Sequence, residues 1–412
     1  MRNANEREMR KVFYSCISKP LLLFRIIGLL PIEGLLHTDG NKTRFNIKSL
    51  YTIYYGTGLC IQALTKVLIC YCAFHKEDTV LKEPSELILA VTSVLLCTSL
   101  FHLSKNWTPS LRRIEYLETL LPPLRTRKIL VRRIKWYISI MLLIYLANYS
   151  AHTLFSILNV SHCFLLEDDS GWYLKSYFLT LDPWYYHHMP FSYASGFMNI
   201  IVKLQAVIMC YVADILIVVV TAYLTCRVKK FYGCLVHEIK RKDGKEVSWY
   251  ELRAHFTRLS ALVATVDDLI NPFIATSFLS HLLFTCYELY DILNKNRPSH
   301  MLLRNDCELN LRSCHPVSTV LYSLSLGTSF LRSLLVLLTT ARLHTLGREP
   351  LNALHYVPTS MYNHEMQRLM DQVYHSKIGL SGLRLFYITR GTVLSMIATI
   401  LTYELVLLQI RV

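Results

Sequence analysis

Residues 383–412 read LRLFYITRGTVLSMIATILTYELVLLQIRV. Between Arg390 and Arg411 the only charge is Glu404, so this stretch is apolar and long enough to cross a hydrocarbon core of about 30 Å as one helix. Gly391, Ser395, Thr399, Thr402, Val406 and Gln409 are spaced 4, 4, 3, 4 and 3, which puts all six on one helical stripe. The stripe is small and mostly polar, whereas Val393, Ile397, Ile400, Leu401, Leu405 and Leu408 make the other faces apolar. Such a stripe has two uses. Small residues let helices approach closely, and several copies of a polar stripe around one axis make a wet path for ions.

Six further stretches upstream have the same length and character: 47–74, 85–103, 136–160, 193–226, 269–294 and 317–343, with 383–410 as the seventh. Composition agrees, with 52% hydrophobic and only 18% charged residues. The expected fold is therefore an all-α membrane protein of seven transmembrane helices. An eighth apolar run, Pro20–Leu36, is shorter and contains Arg25, Pro31 and Glu33, so it reads as an interfacial helix and not a span. It lies late, behind a charged start, and lacks a small-residue cleavage site, which argues against a signal peptide. Residues 1–46 are thus read as an N-terminal segment with a short interfacial helix, and 47–412 as the transmembrane domain.

The net charge of +15 raises the question of a nucleic-acid partner, but the basic residues alternate with apolar spans instead of forming one patch. Segments 1–46, 104–135, 227–268 and 344–382 hold 29 Lys and Arg, against 8 in 75–84, 161–192, 295–316 and the tail 411–412. Basic loops stay in the cytoplasm, so the N-terminus is inside and the C-terminus outside. A G-protein-coupled receptor would place these loops outside, and neither a DRY-like end to the third span nor NPxxY in the seventh is present. The runs RTRKILVRRIKW (125–136) and RVKKF (227–231) read as topology determinants and head-group anchors. Within 227–268 the apolar residues Leu252, Phe256, Leu259, Leu262, Val263 and Val266 are helically periodic, so the fourth and fifth helices are expected to continue past the membrane and pack together. A further extension is expected around 344–382.

No phosphate-binding glycine loop, HExxH, GxSxG or kinase signature occurs, so the sequence does not read as an enzyme and implies no cofactor or metal. Twelve Cys include no CxxC pair and no Cys/His cluster at zinc spacing. His187 and His188 read as surface residues of an outer loop. Cys307 and Cys314 could close a disulfide there, with Cys163 an alternative partner, and Asn159-Val160-Ser161 is a glycosylation sequon.

Thr402-Tyr403-Glu404-Leu405-Val406-Leu407-Leu408-Gln409-Ile410 closely resembles the Thr-Tyr-(five residues)-Gln-Phe signature on the last helix of insect gustatory receptors. With Leu380-Ser381-Gly382 and Phe386-Tyr387-Ile388-Thr389-Arg390 before it, the stretch looks most like the sugar-receptor branch. Pro20-Leu21-Leu22 and Ile27-Gly28-Leu29-Leu30-Pro31 are similar to that family's N-terminal pattern. Ile410 departs from the usual Phe. The resemblance implies the insect chemoreceptor-channel fold: a ligand-gated, non-selective cation channel in the plasma membrane of sensory neurons, a homotetramer or a heteromer with related receptors. It also implies a pore lined by the seventh helices through Ser395, Thr399, Thr402, Val406, Gln409 and Ile410, and a ligand pocket in the outer half of spans two to six. Alternatives are a channel for bitter or other tastants, a metabotropic seven-helix receptor, and a transporter.

A sugar pocket needs aromatic platforms beside carboxylates, amides or hydroxyls. The outer fifth span offers Thr285, Tyr287, Glu288, Tyr290 and Asp291, and carboxylates at membrane depth are expensive enough to be functional candidates. The outer third span offers Asn148, Tyr149 and His152, the sixth Tyr322, Ser323 and Ser325, and Tyr193 begins the fourth. Among the remaining intramembrane charges, Lys203 and Asp214 lie three turns apart on one face, and Arg332 is a candidate partner for a carboxylate.

Overall fold

The computed structural model describes residues 12–35, 43–46, 48–75, 84–124, 127–164, 170–181, 186, 190–240, 247–294 and 315–409. Ten α-helices run through them. Helix α1 is Val12–Ile26. The seven spans are α2 (Leu50–His75), α3 (Pro84–Leu120), α4 (Arg127–Phe164), α6 (Tyr193–Lys240), α7 (Trp249–Asn294), α8 (His315–His355) and α10 (Arg390–Gln409). Two shorter helices, α5 (Ser170–Leu181) and α9 (His364–His375), fall between them. Two strand pairs complete the order: β1 (Ile32–Glu33) with β2 (Arg44–Phe45), and β3 (Ser381–Gly382) with β4 (Phe386–Tyr387), both antiparallel.

Helix α6 is the hub. Its residues Met209–Leu224 are buried almost without a break, and α1, α3, α4, α7 and α8 all pack on it. A helix apolar on every side belongs in the middle of a bundle. Beyond the bilayer α6 reaches Lys240 and α7 begins at Trp249, so the two helices continue together for several turns. Leu252, Phe256, Leu259, Leu262, Val263 and Val266 are all buried there. The Phe231 ring meets Phe256 at 5.3 Å and His255 edge-on at 5.1 Å. Burial, with Arg227, Arg258 and Lys230 nearby, pushes His255 down to about 4, so it packs as a neutral ring at physiological pH.

The N-terminal helix differs from the expected Pro20–Leu36 segment. Its described part already covers the eight residues before Pro20, and it stops at Ile26, because Gly28 (φ +79°) closes it with a Schellman cap: Leu29 N–H donates to Phe24 O (2.8 Å) and Gly28 N–H to Arg25 O (3.0 Å). A Cβ on Gly28 would stand 2.3 Å from the Tyr54 ring. Val12, Phe13, Ile17, Leu21 and Phe24 are each at most 1% exposed, so the apolar face of α1 is covered by protein. At its start Glu118 of α3 accepts from Phe13 N–H (3.3 Å), from the Tyr223 hydroxyl (2.6 Å) and from Arg227 (2.7 Å), which ties α1, α3 and α6 together. Burial pushes the Glu118 carboxyl up, and Arg227, the Tyr223 hydroxyl and the Phe13 N–H act against that rise.

The hairpin β3–β4 sets the start of α10. Asp267 of α7 accepts from Ser381 N–H (2.7 Å) and from its hydroxyl (2.6 Å), Leu383 N–H donates to Asn271 O (3.3 Å), and Arg384 pairs with Asp268. Leu383 and Arg384 both hold left-handed backbone (φ 49° and 59°), a conformation that non-glycine residues adopt at a cost. Gly382 lies under the Phe386 ring, which packs at 5.1 Å on Phe278, and a Cβ there would come within 2.5 Å of Phe386. Gly382→Ala should push Phe386 off Phe278 and cost about 1–3 kcal/mol, an overpacking penalty. A lower thermal unfolding midpoint of the purified protein is the check.

Candidate functional site

The outer halves of α4, α6, α7 and α8 bring polar side chains to one place. Glu288 Oε1 accepts from the hydroxyls of Ser325 (3.1 Å) and Ser329 (3.0 Å), one turn apart on α8. Asn148 of α4 joins them: its Oδ1 lies 3.2 Å from the Ser325 hydroxyl and shares that one proton with Glu288, while its Nδ2 donates to the Tyr211 hydroxyl (3.0 Å) and Ser329 (3.4 Å). Tyr211 meets Tyr145 edge-on at 4.8 Å, and Tyr145 stacks on Tyr149 at 5.9 Å. A carboxylate, an amide, two hydroxyls and three tyrosines therefore share one cluster. That is the mixture a polyhydroxylated ligand with apolar C–H faces requires.

A charged layer lies below it. Asp214 on α6, 2% exposed, sits at an ion-pair separation of 3.4 Å from Arg332 Nε on α8 and also 3.4 Å from His281 Nε2 on α7. Ser277 donates to Asp214 at 2.5 Å. Arg332 Nη2 stands 3.4 Å from His281 Nδ1. A guanidinium can only donate, so Nδ1 accepts and the ring proton sits on Nε2, facing Asp214. The Arg332 guanidinium carbon also lies 4.3 Å over the Tyr211 ring, a cation–π contact that links this layer to the cluster above. From Glu288 to Ser277 the column follows α7 for roughly 16 Å at 1.5 Å per residue.

Of the residues proposed from sequence, Asn148, Glu288 and Ser325 meet directly, and Tyr149 borders them through Tyr145. Tyr193 is 46% exposed at the start of α6, where it packs on Phe191 at 5.1 Å, apart from that cluster. His152 is exposed one turn beyond Asn148, and Tyr287 is half-buried beside Glu288 on α7. The side chains of Asp291 and Tyr322 lie outside the described residues, as do Ile410, His187, His188, Cys307, Cys314 and the side chains of Asn159, Cys163 and Glu404. Ser329, Tyr145, Tyr211, His281 and Ser277 were not singled out from sequence. The available signal was spacing: Ser277, His281 and Glu288 share one face of α7, and Ser325, Ser329 and Arg332 share one face of α8.

On α10 the packing face is Val393, Met396 and Ile400, each at most 5% exposed, whereas Ser395, Thr399, Thr402, Val406 and Gln409 are all exposed on the subunit. The hydroxyls of Thr399 and Thr402 donate back to Ser395 O (2.9 Å) and Ala398 O (2.8 Å). Among the described residues, the small polar stripe is thus left exposed within one subunit.

A family model described as trehalose receptor matches residues 1–412. Among curated relatives, the chain is similar to the Drosophila melanogaster gustatory receptor for sugar taste 61a, at 24% identity over 98% of this chain and 90% of the relative. It is also similar to gustatory receptor 5a for trehalose from the same organism, at 25% identity over 96% of this chain and 85% of the relative. Among solved structures it resembles the olfactory receptor OR5 of the insect Machilis hrabei, with TM-score 0.60 and 17% identity, covering 96% of this chain and 97% of that one. The complex of that receptor with eugenol gives a TM-score of 0.58 over the same coverage. The seven helices thus adopt the insect chemoreceptor fold, and the chain belongs to the trehalose receptor family of insect gustatory receptors.

Proposed function

We propose that the protein is a sugar-gated gustatory receptor of the sensory-neuron plasma membrane. It acts as a non-selective cation channel, with four copies, or copies of related receptors, arranged around the seventh helices. The observation that carries the sugar assignment is the Asn148–Glu288–Ser325–Ser329 cluster with its tyrosines, placed between helices at membrane depth. The curated relatives named for sugar taste and for trehalose point to the same ligand class.

In this reading, sugar binding in the outer cluster acts on α7 and α8, and α7 passes the change to the pore helix through Asp267, Ser381 and the hairpin. A ligand opens the channel only by binding the open arrangement better than the closed one. The exposed stripe of α10 then lines the conduction path, with Gln409 at its outer end. Cysteines placed at Ser395, Thr402 and Gln409 should react with a water-soluble thiol reagent in the presence of sugar, and Gln409→Glu should change cation selectivity while leaving sugar potency within about threefold. Protection of all three cysteines in channels that still conduct would assign the stripe to packing between subunits and remove it from the pore.

A further inference from the structure

At the cytoplasmic ends of α4, α6 and α8 lies a cavity of about 230 Å³ lined by Arg133, Tyr137, Thr221, Thr225, Lys229 and Arg342, with Val218, Ala222, Leu338 and Thr339 completing its walls. Each basic residue comes from a different helix. Topology determinants need only lie on the correct side of the membrane, and nothing in that role requires three of them to converge on one hollow. Lys229 is within electrostatic reach of both Arg342 and Arg133, with the carboxylate of Glu349 also nearby. Three cations against one nearby carboxylate leave the hollow with net positive charge, which favours entry of an anion.

Position and chemistry identify the anion. Arg133, Leu338 and Arg342 are exposed at the lip of the cavity, and Trp136, 66% exposed one turn beyond Arg133, marks the interfacial belt where lipid phosphates lie. Val218, Ala222 and Leu338 offer an apolar wall on the membrane side. The hydroxyls of Thr221 and Thr339, two of the lining residues, donate to Ile217 O and Leu335 O of their own helices, which leaves each oxygen able only to accept. Acceptors suit the hydroxyls of a sugar-like headgroup, and the three cations suit its phosphate. We propose that this cavity binds the headgroup of an inositol phospholipid of the cytoplasmic leaflet, and that the lipid bridges α4, α6 and α8. The site lies on the opposite side of the bilayer from the sugar cluster and does not depend on the ligand assigned there.

The test is native mass spectrometry of the full-length protein titrated with dioctanoyl phosphatidylinositol monophosphate. The same titration is repeated with dioctanoyl phosphatidylserine, dioctanoyl phosphatidylcholine and soluble inositol bisphosphate. The inositol lipid should bind at least tenfold more tightly than the other three. Removing the charges in Arg133→Gln/Lys229→Gln/Arg342→Gln, or filling the cavity in Thr225→Phe with every charge kept, should each weaken it tenfold or more. The control Arg132→Gln/Lys230→Gln, which alters basic residues that do not line the cavity, should bind as the wild type does. Wild-type affinity in either cavity variant overturns the site. Equal affinity for phosphatidylserine or for the soluble phosphate overturns the choice of an inositol lipid.

Discussion

Asp214→Ala is expected to remove most of the folded receptor from the cell surface. Asp214 and Arg332 are 2% and 6% exposed, at membrane depth, and His281 and Ser277 orient the carboxylate toward the guanidinium. Deleting the acid leaves a permanent positive charge buried without its counter-ion. Breaking such a pair costs about 3–5 kcal/mol, a large part of the roughly 5–15 kcal/mol that holds a domain together. Replacing both partners removes the unpaired charge, so Asp214→Leu/Arg332→Met should regain much of the lost stability. Surface labelling and the thermal midpoint in detergent would read both variants. A single Asp214→Ala variant as stable as the wild type would show that Arg332 is satisfied elsewhere.

Glu288→Ala should reduce sugar potency tenfold or more while the protein still reaches the surface. Its Oε1 atom is held by Ser325 and Ser329, hydroxyls that a ligand's own hydroxyls can replace at little net cost. A hydrogen bond to a charged group is worth about 1.5–3 kcal/mol, which corresponds to roughly a tenfold to hundredfold change in affinity. The shift should appear along the concentration axis before the maximal current falls, because the substitution weakens ligand binding and leaves the pore intact. Ser325→Ala should show a smaller shift in the same direction. Unchanged potency in Glu288→Ala would move the sugar site away from this cluster.

The contrast between what the sequence discloses and what it hides has a physical cause. A bilayer demands about twenty apolar residues per crossing, so each span declares itself locally, and the distribution of Arg and Lys indicates which end faces the cytoplasm. The stripe on the last helix is equally local, since 3.6-residue periodicity alone brings Ser395, Thr399 and Gln409 to one side. The extent of α1 is not local: its Phe13 N–H is satisfied by Glu118, 105 residues away, and Pro20, which invites a reading as a helix start, sits inside the helix. Much of the polar column is hidden for a related reason. His281 is one polar residue in an apolar run and acquires meaning only when the register between α6, α7 and α8 sets it beside Asp214 and Arg332. Asp214 and Arg332 stand out singly as costly charges, and Lys203, three turns from Asp214 on one helix, is too far to pair with it directly; inter-helix packing makes the pair.

The most direct measurement is whole-cell recording from non-gustatory cells that express this chain alone and with related receptors. Cells should be exposed to monosaccharides, disaccharides, polyols and bitter compounds. At least one sugar should evoke inward cation currents, without second-messenger supply in excised patches, graded by hydroxyl pattern because a missing hydroxyl leaves a buried polar group unpaired. Currents evoked by bitter compounds alone, or sugar responses that vanish in excised patches and require cytosolic messengers, would contradict a sugar-gated channel.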